Sequence, residues 1–371
     1  MGADRGATFP GRVGLQQRVL PAYRVPFFER LAAVCEGGLQ VFAGEPRRDE
    51  AILQASKMRP DLFSRAKNIH ILRGTLYLCY QKNMLSWLQA WDPRVLILEA
   101  NPRYLANWRA MRWMRMRSRP IIGWGLGAPP PGGALAQVRR AFRKRFLGHF
   151  DALIVYSTLG AEQYRRSGVR EECIFVAPNA AAAVPPPLKP RKVKPRDDLH
   201  VLFVGRLQAR KRVDNLLRAC AVLETPPALT IVGDGPARGD LEQLSQRVYP
   251  QARFVGAQQG EALEAYFRKA DLFVLPGTGG LAVQQAMAHG LPVIVAEGDG
   301  TQNDLATPDN GWLVPPGNLD ALIAALRQAI SDPERLRSLG KESHRLASER
   351  FNIENMASAF VRALNAVTRE R

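Results

Sequence analysis

LPGTGGLAVQQAMAHGLPVI (residues 275–294) contains the pattern from which the fold of this 371-residue chain can be read. The run that ends in Leu275 and Pro276, DLFVLP (271–276), is apolar apart from its first residue and suits a buried strand. A Gly-rich turn follows, then a helix-forming run of Ala, Gln and Met, then a second apolar run, LPVIVA (291–296). Strand, turn, helix and strand within about 30 residues make a βαβ unit with parallel strands. Glycines at its first corner let the backbone come close to something. The helix behind that corner carries Gln284 and Gln285 and no carboxylate.

The same alternation extends in both directions. Downstream of residue 199 the strands are VLFVG (201–205), ALTIVG (228–233), RFVG (253–256), DLFVLP and LPVIVA, separated by amphipathic runs such as VDNLLRACAVL and GEALEAYFRKA. Upstream, LQVFAG, IHIL, RVLILE, PIIGWG, ALIVYS and IFVAP have the same character. Near-continuous apolar strands between amphipathic helices describe parallel sheets covered on both faces. The expectation is α/β, with two Rossmann-like doubly wound domains facing a central cleft and ligands at the carboxyl ends of the strands. The boundaries expected are 1–180 for the first domain and 199–371 for the second. NAAAAVPPPLKPRKVKPRDD (179–198) supplies a Pro- and Lys-rich linker over 181–198. The last segment, NIENMASAFVRALNAV, reads as an amphipathic helix that packs back on the first domain.

Composition narrows the setting. No apolar run approaches the roughly 18 residues of a membrane span, and MGADRGATFP lacks the apolar core of a signal peptide. Cys35, Cys79, Cys173 and Cys220 are far apart, without metal spacing, which suits reduced thiols in the cytoplasm. Nor do the five histidines fall at ligand or triad spacing, so neither metal nor cofactor is expected.

Three strand ends of the second half carry chemistry. In VGRLQARKR (204–212), Gly205 and Arg206 follow a strand and Lys211 stands at the start of a helix, a cationic pair suited to a diphosphate. VGDGPARGDL (232–241) makes a tight turn through Gly235. The opening stretch is the third, with the backbone N–H groups of Thr278, Gly279, Gly280 and Leu281 directed along a helix axis.

GRL with Lys five residues after Arg206, then GDGP, then the Gly-rich turn with AMAHGLPVI, then NGWLVPPGN (310–318), resembles the nucleotide-sugar domain of family 4 glycosyltransferases, retaining enzymes of the GT-B fold. The likeness covers about residues 199–360 and extends more loosely through YRVPFFERLA, DALIVYSTLGAEQY and IFVAPNA. It implies that Arg206 and Lys211 bind the donor diphosphate and neutralise it as it leaves. Gly279, Gly280 and Leu281 would then approach sugar and phosphate. Many relatives frame this turn with two glutamates eight positions apart. Gly277 and Gln285 stand there in this chain, of which Gln285 can still hydrogen-bond a ribose. Where relatives place a sugar-facing His, this chain has Trp124, to stack on a sugar or to pack. Glu99 and Asn101 end another strand as groups to orient an acceptor hydroxyl, and Arg24, after what would be the first strand, is a phosphate contact.

Charge completes the expectation. Residues 1–180 carry 28 Lys and Arg against 13 Asp and Glu, whereas residues 199–371 balance 19 against 19. Much of the excess lies in NWRAMRWMRMRSRP (107–120) and QVRRAFRKRFLGHF (137–150), each a basic amphipathic helix with aromatics, suited to an anionic membrane surface. Nucleic acid is a poorer partner, since no nucleic-acid motif accompanies the charge. The function expected is transfer of a sugar from a nucleotide-diphosphate donor to a glycan or lipid-linked acceptor, at the inner face of the membrane. A noncatalytic nucleotide-sugar-binding partner and a GT-B nucleotide-sugar epimerase stay as alternatives.

Overall fold

The computed structural model describes every residue except 1–6, 48, 49, 51, 53, 54, 56, 57, 73, 75, 76, 134, 190–192, 370 and 371. The first six positions of the chain, where no signal peptide is expected, thus lie outside the described residues. The chain divides into two units, one running to Ala183 and including Ile353–Arg371, the other Val184–Asn352.

In the first unit the strands of the main sheet are β1 (Val13–Val19), β2 (Leu39–Gly44), β3 (Phe63–Arg65), β6 (Val95–Glu99), β7 (Ile121–Gly125), β8 (Ala152–Val155) and β9 (Ile174–Val176). They pair in the order β3-β2-β1-β6-β7-β8-β9, all parallel. Helices α1 (Val25–Val34), α2 (Met84–Trp91), α3 (Leu105–Arg115), α4 (Ala136–Leu147) and α5 (Thr158–Arg166) make connections between them. Two expectations change here. IHIL does not join the parallel sheet but lies in β4 (Lys67–Ile71), paired antiparallel with β5 (Leu78–Lys82). The interior strand β1, VGLQQRV, escapes a search for apolar runs because Gln16 and Gln17 interrupt it. Both are buried, and the side chain of Gln81 serves both: it accepts from Gln16 Nε2 and donates to the Gln17 carbonyl at 3.1 Å. A buried amide with its partners supplied carries little net cost.

The second unit repeats the plan. Its strands are β10 (His200–Val204), β11 (Ala228–Val232), β12 (Arg253–Phe254), β13 (Leu272–Leu275), β14 (Val293–Ala296) and β15 (Gly311–Val314). They pair in parallel in the order β12-β11-β10-β13-β14-β15. The helices are α6 (Val213–Ala221), α7 (Arg238–Val248), α8 (Gly260–Lys269), α9 (Leu281–Ala288), α10 (Thr301–Leu305), α11 (Leu319–Ser331) and α12 (Pro333–Glu349). Helix starts follow local chemistry: Asn318 accepts from Ala321 N and Asp332 from Arg335 N, with Pro333 opening α12.

The Pro-rich stretch expected as a linker is largely exposed, and outside its undescribed residues 190–192 it is held to the second unit at three points. The Pro186 carbonyl accepts from His344 Nε2 at 2.8 Å, Leu188 lies against Gly290, and Lys194 pairs with Asp271 at 2.7 Å. Prolines keep such a segment extended, leaving its carbonyls free to accept. The final helix α13 (Ile353–Arg369) belongs to the first unit, with Phe360 fully buried against Phe27 and Trp124 at 4.9 Å between ring centroids in each case. Phe360→Ala is therefore expected to destabilise the first unit by about 3–5 kcal/mol, with Phe360→Leu milder. Urea unfolding followed by tryptophan emission reads this, and an unshifted midpoint would refute the placement.

Candidate active site

Each sheet reverses its winding between two neighbouring strands, β1 and β6 in the first unit, β10 and β13 in the second. The crevice beyond the carboxyl ends at such a reversal is where ligands enter open α/β sheets. All three strand-end motifs of the second unit gather around its reversal, and they lock onto one another through glycine.

A side-chain carbon on Gly233 would collide with the Gly205 carbonyl, one on Gly235 with the Leu207 carbonyl, and one on Gly277 with the Arg210 carbonyl. Hydrogen bonds pin the same contacts. Gly205 N donates to Val232 O at 3.0 Å, Leu207 N to Asp234 O at 2.9 Å, and Thr278 N to Arg210 O at 3.1 Å. The close approach of Gly235 is thus to the neighbouring loop. At Gly277 backbone fills the space that a side chain would need, which is why no carboxylate stands there. One expectation is corrected as well: the Thr278 N–H is spent on Arg210 and does not face a ligand.

Lys211 runs into this corner. Its side chain passes between Gly205 and Gly279, and its ammonium donates to the Thr278 carbonyl. Among the described residues no carboxylate pairs with it. Burial, reinforced by the neighbouring Arg210 cation, lowers its pKa to about 8. Arg206 is exposed and has no partner among the described residues. The N–H groups of Gly279, Gly280 and Leu281 likewise have none, and they open α9 beside the lysine. Gln285 lies one turn further on, its side chain unengaged among the described residues and its carbonyl accepting from His289. Cations and free helix N–H groups without a carboxylate form an anion site.

Two residues that the motifs did not single out complete the corner. Arg210 donates to Thr278 Oγ1 at 2.9 Å, and Gln302 Nε2 donates to the Gly279 carbonyl at 2.9 Å. Arg210 lies inside a quoted motif. Gln302 has no local signal, because α10 reaches the turn only in the folded chain.

In the first unit the acceptor-side candidates separate. Trp124 is 2% exposed and packs among Phe27, Phe28, Tyr156 and Phe360, so it is a core residue and not a sugar platform. Asn101 closes a local turn, its Oδ1 accepting from Arg103 N at 3.1 Å. Glu99 ends β6 at the reversal, where its carboxylate accepts from Arg18 N at 2.6 Å and burial pushes its pKa up. Arg24 is buried beside Trp124, with its guanidinium carbon 4.5 Å from the ring centroid. The two basic helices differ too. In α3 the residues Met111, Trp113 and Met114 are buried core, so α3 is no membrane-facing helix of the kind expected. In α4, Val138 and Phe142 are 64% and 51% exposed.

Comparison with known proteins fits this geometry. The family model described as "Glycosyl transferases group 1" matches residues 186–345, nearly all of the second unit. Sulfoquinovosyl transferase SQD2 of Arabidopsis thaliana is 33% identical over 38% of this chain and 28% of its own length. Lipopolysaccharide core biosynthesis glycosyltransferase LpsD of Rhizobium meliloti is 27% identical over 70% of this chain and 79% of its own. For the five relatives SQD2, MJ1607, a mycobacterial mannosyltransferase, a rhodococcal inositol phosphate glycosyltransferase and AmsK, the match spans only 28–44% of their length. Among solved structures, HepE of Anabaena in complex with UDP superposes with a TM-score of 0.68 at 16% identity, covering 95% of this chain and 99% of its own. Sucrose-phosphate synthase from Thermosynechococcus elongatus gives 0.68 at 21% identity over 93% and 96%. The fold is GT-B.

The lysine makes the site sensitive to pH. A bound anion favours the ammonium, so above about pH 8 binding must take up a proton. Pyrophosphate affinity is expected to fall about tenfold between pH 7 and pH 9, and Lys211→Arg, whose cation persists, should flatten the profile. Without anion the sign reverses: the fold binds fewer protons than the unfolded chain between about pH 8 and the ordinary lysine value of 10.5, so stability rises with pH across that window. Calorimetric titration across this range checks the binding, and an unchanged wild-type affinity would remove Lys211 from the site.

Proposed function

We propose that this protein transfers a sugar, with retention, from a nucleotide-diphosphate donor to a hydroxyl of a glycan or lipid-linked acceptor in cell-surface polysaccharide or glycolipid synthesis. The observation that carries this is Lys211, a partly buried ammonium without a carboxylate partner among the described residues, held between two glycines at the reversal point of the second sheet. A cation so placed, beside the unengaged N–H groups of α9, suits a donor diphosphate. The family-model match, the names of the relatives and the HepE complexes with UDP and UDP-glucose support a nucleotide sugar as the ligand class.

In the proposed reaction the bond between the anomeric carbon and the diphosphate breaks, and a bond to the acceptor oxygen forms on the same face. The acceptor proton passes to the departing phosphate, so no protein nucleophile is required at Gly277. Charge accumulates on that phosphate in the transition state, where Lys211 and Arg206 stabilise it in the role that a metal ion plays elsewhere. Gln285 hydrogen-bonds the ribose.

The first test is a panel of nucleotide sugars, scored for thermal stabilisation and slow hydrolysis, with Lys211→Ala alongside. Stabilisation by one donor, with hydrolysis reduced at least 100-fold in the variant, is the expected result for loss of a charge-stabilising group. Binding without turnover, even with membrane extract as acceptor, would leave a noncatalytic sugar-nucleotide-binding partner. A changed sugar nucleotide released without acceptor would indicate an epimerase.

We also place the protein at the cytoplasmic face of an anionic membrane. No helix among the described residues is long and apolar enough to cross a bilayer, and α4 offers a surface contact instead. Val138 and Phe142 form an exposed apolar stripe one turn apart, flanked by the exposed Arg139, Arg140, Lys144 and Arg145. Neutralising those four cations to Gln is expected to weaken co-sedimentation with phosphatidylglycerol vesicles more than tenfold at low salt, at about 1 kcal/mol per charge. Val138→Ser with Phe142→Ser should weaken the part that survives high salt. Unchanged partitioning of both variants would dismiss the membrane contact.

A further inference from the structure

The reversal point of the first sheet contains a buried cation that the proposed reaction does not employ. Arg24 follows β1 and is 8% exposed, and it has no ion pair among the described residues. Three aromatic rings surround its guanidinium carbon, with centroids at 4.5 Å (Trp124), 5.3 Å (Tyr156) and 5.5 Å (Tyr23). Its Nε donates to the Tyr23 hydroxyl at 3.2 Å and its Nη2 to the Tyr156 hydroxyl at 2.6 Å. Nη1 is shielded from solvent and has no acceptor among the described residues, and neither does the indole Nε1 of Trp124 in the same cage.

This is an unbalanced arrangement. A guanidinium has five N–H donors and stays charged, and burying it without a counter-charge is costly. The tyrosines do not neutralise it, because burial pushes the Tyr156 phenol above its ordinary pKa and keeps it protonated. The carboxylate across the reversal, Glu99, lies within reach of the Arg24 charge, but it accepts from the Arg18 backbone and forms no ion pair with Arg24. Two buried donors thus lack an acceptor at the strand ends where an open α/β sheet receives its ligand. Tyr23, 38% exposed, is the cage wall open to solvent.

We propose that Arg24 anchors an anionic group, a phosphate or a carboxylate, carried by the acceptor. This rests on the transferase reading and adds to it the acceptor's chemical class, an acidic saccharide or a phosphate-bearing alcohol. As Tyr23 swings aside, the anion enters and accepts from Nη1 and from the neighbouring N–H of Nη2, the end-on pair through which a guanidinium meets two oxygens. Trp124 and Tyr156 hold the fork in place. Trp124 is then a positioning residue, consistent with its burial.

The test separates this site from Lys211 by working in the Lys211→Ala background. Inorganic phosphate and acetate are titrated by calorimetry and by tryptophan emission, to which Trp124 contributes. Saturable binding of one of them is expected, weakened at least tenfold by adding Arg24→Gln and partly rescued by Arg24→Lys. Whichever ion binds identifies the group. Tyr156→Phe, which removes the oxygen that steadies Nη2 and keeps the ring, should weaken the same binding and stands in if Arg24→Gln fails to fold. Equal binding with and without Arg24, or no binding in the Lys211→Ala background, overturns the proposal.

A second arm uses glucose, glucose 6-phosphate and glucuronate as acceptors with the donor found by the panel. A charged acceptor should show a KM at least tenfold below that of glucose, and Arg24→Gln should abolish the difference. Transfer without charge preference would overturn the Arg24 proposal and leave the transferase standing. Anion binding at Arg24 without transfer to any acceptor would do the reverse.

Discussion

The second unit depends on backbone pressed against backbone at three glycines. The carbonyls of Gly205, Leu207 and Arg210 occupy the space where side chains of Gly233, Gly235 and Gly277 would lie. Three loops that leave different strands thereby become one surface, and Lys211 is threaded through it. Such contact is possible only without a Cβ, and a close approach of this kind costs backbone freedom that the rest of the fold must offset. Its consequence is chemical: the turn can hold a cation close, but it has no room for an acidic side chain at Gly277.

Both units place their candidate sites at the same topological position and build them differently. The second brings glycine loops and a lysine to its reversal. The first brings polar side chains: Gln16, buried at the centre of β1, is held by Gln81, and its Oε1 in turn accepts from Glu99 N at 3.1 Å. That lattice fixes the end of β6 against β1. Arg24 stands beyond it among aromatic rings, supported from behind by Phe360 of α13 through Trp124. The last helix of the chain therefore lies behind the first unit's candidate site, although more than 300 residues separate them in sequence.

Much of this was legible beforehand. Glycine at a strand end is a local signal, and so is a run such as VLFVG; the α/β class and the donor-side motifs follow from both. Strand β1 hid because periodicity weighs glutamine as polar, whereas a buried amide with partners behaves as core. IHIL misled in the opposite way, since a short apolar run carries no mark of whether it pairs in parallel or antiparallel. The apolar residues of α3 and α4 look alike in sequence; which of them face the sheet depends on how each helix is set down.

What the sequence determined by itself is what depends on neighbours along the chain: strand and helix periods, the three glycine corners, and the cations Arg206 and Lys211 beside one of them. What only the tertiary structure decided is which distant groups share a space. It decided that Trp124 packs as a wall and does not stack on a sugar, brought Gln302 to the Gly279 carbonyl, and left Arg24 buried without an ion pair among the described residues. The physical reason is that burial and hydrogen-bond satisfaction belong to contacts between remote segments, and residue type alone does not specify them.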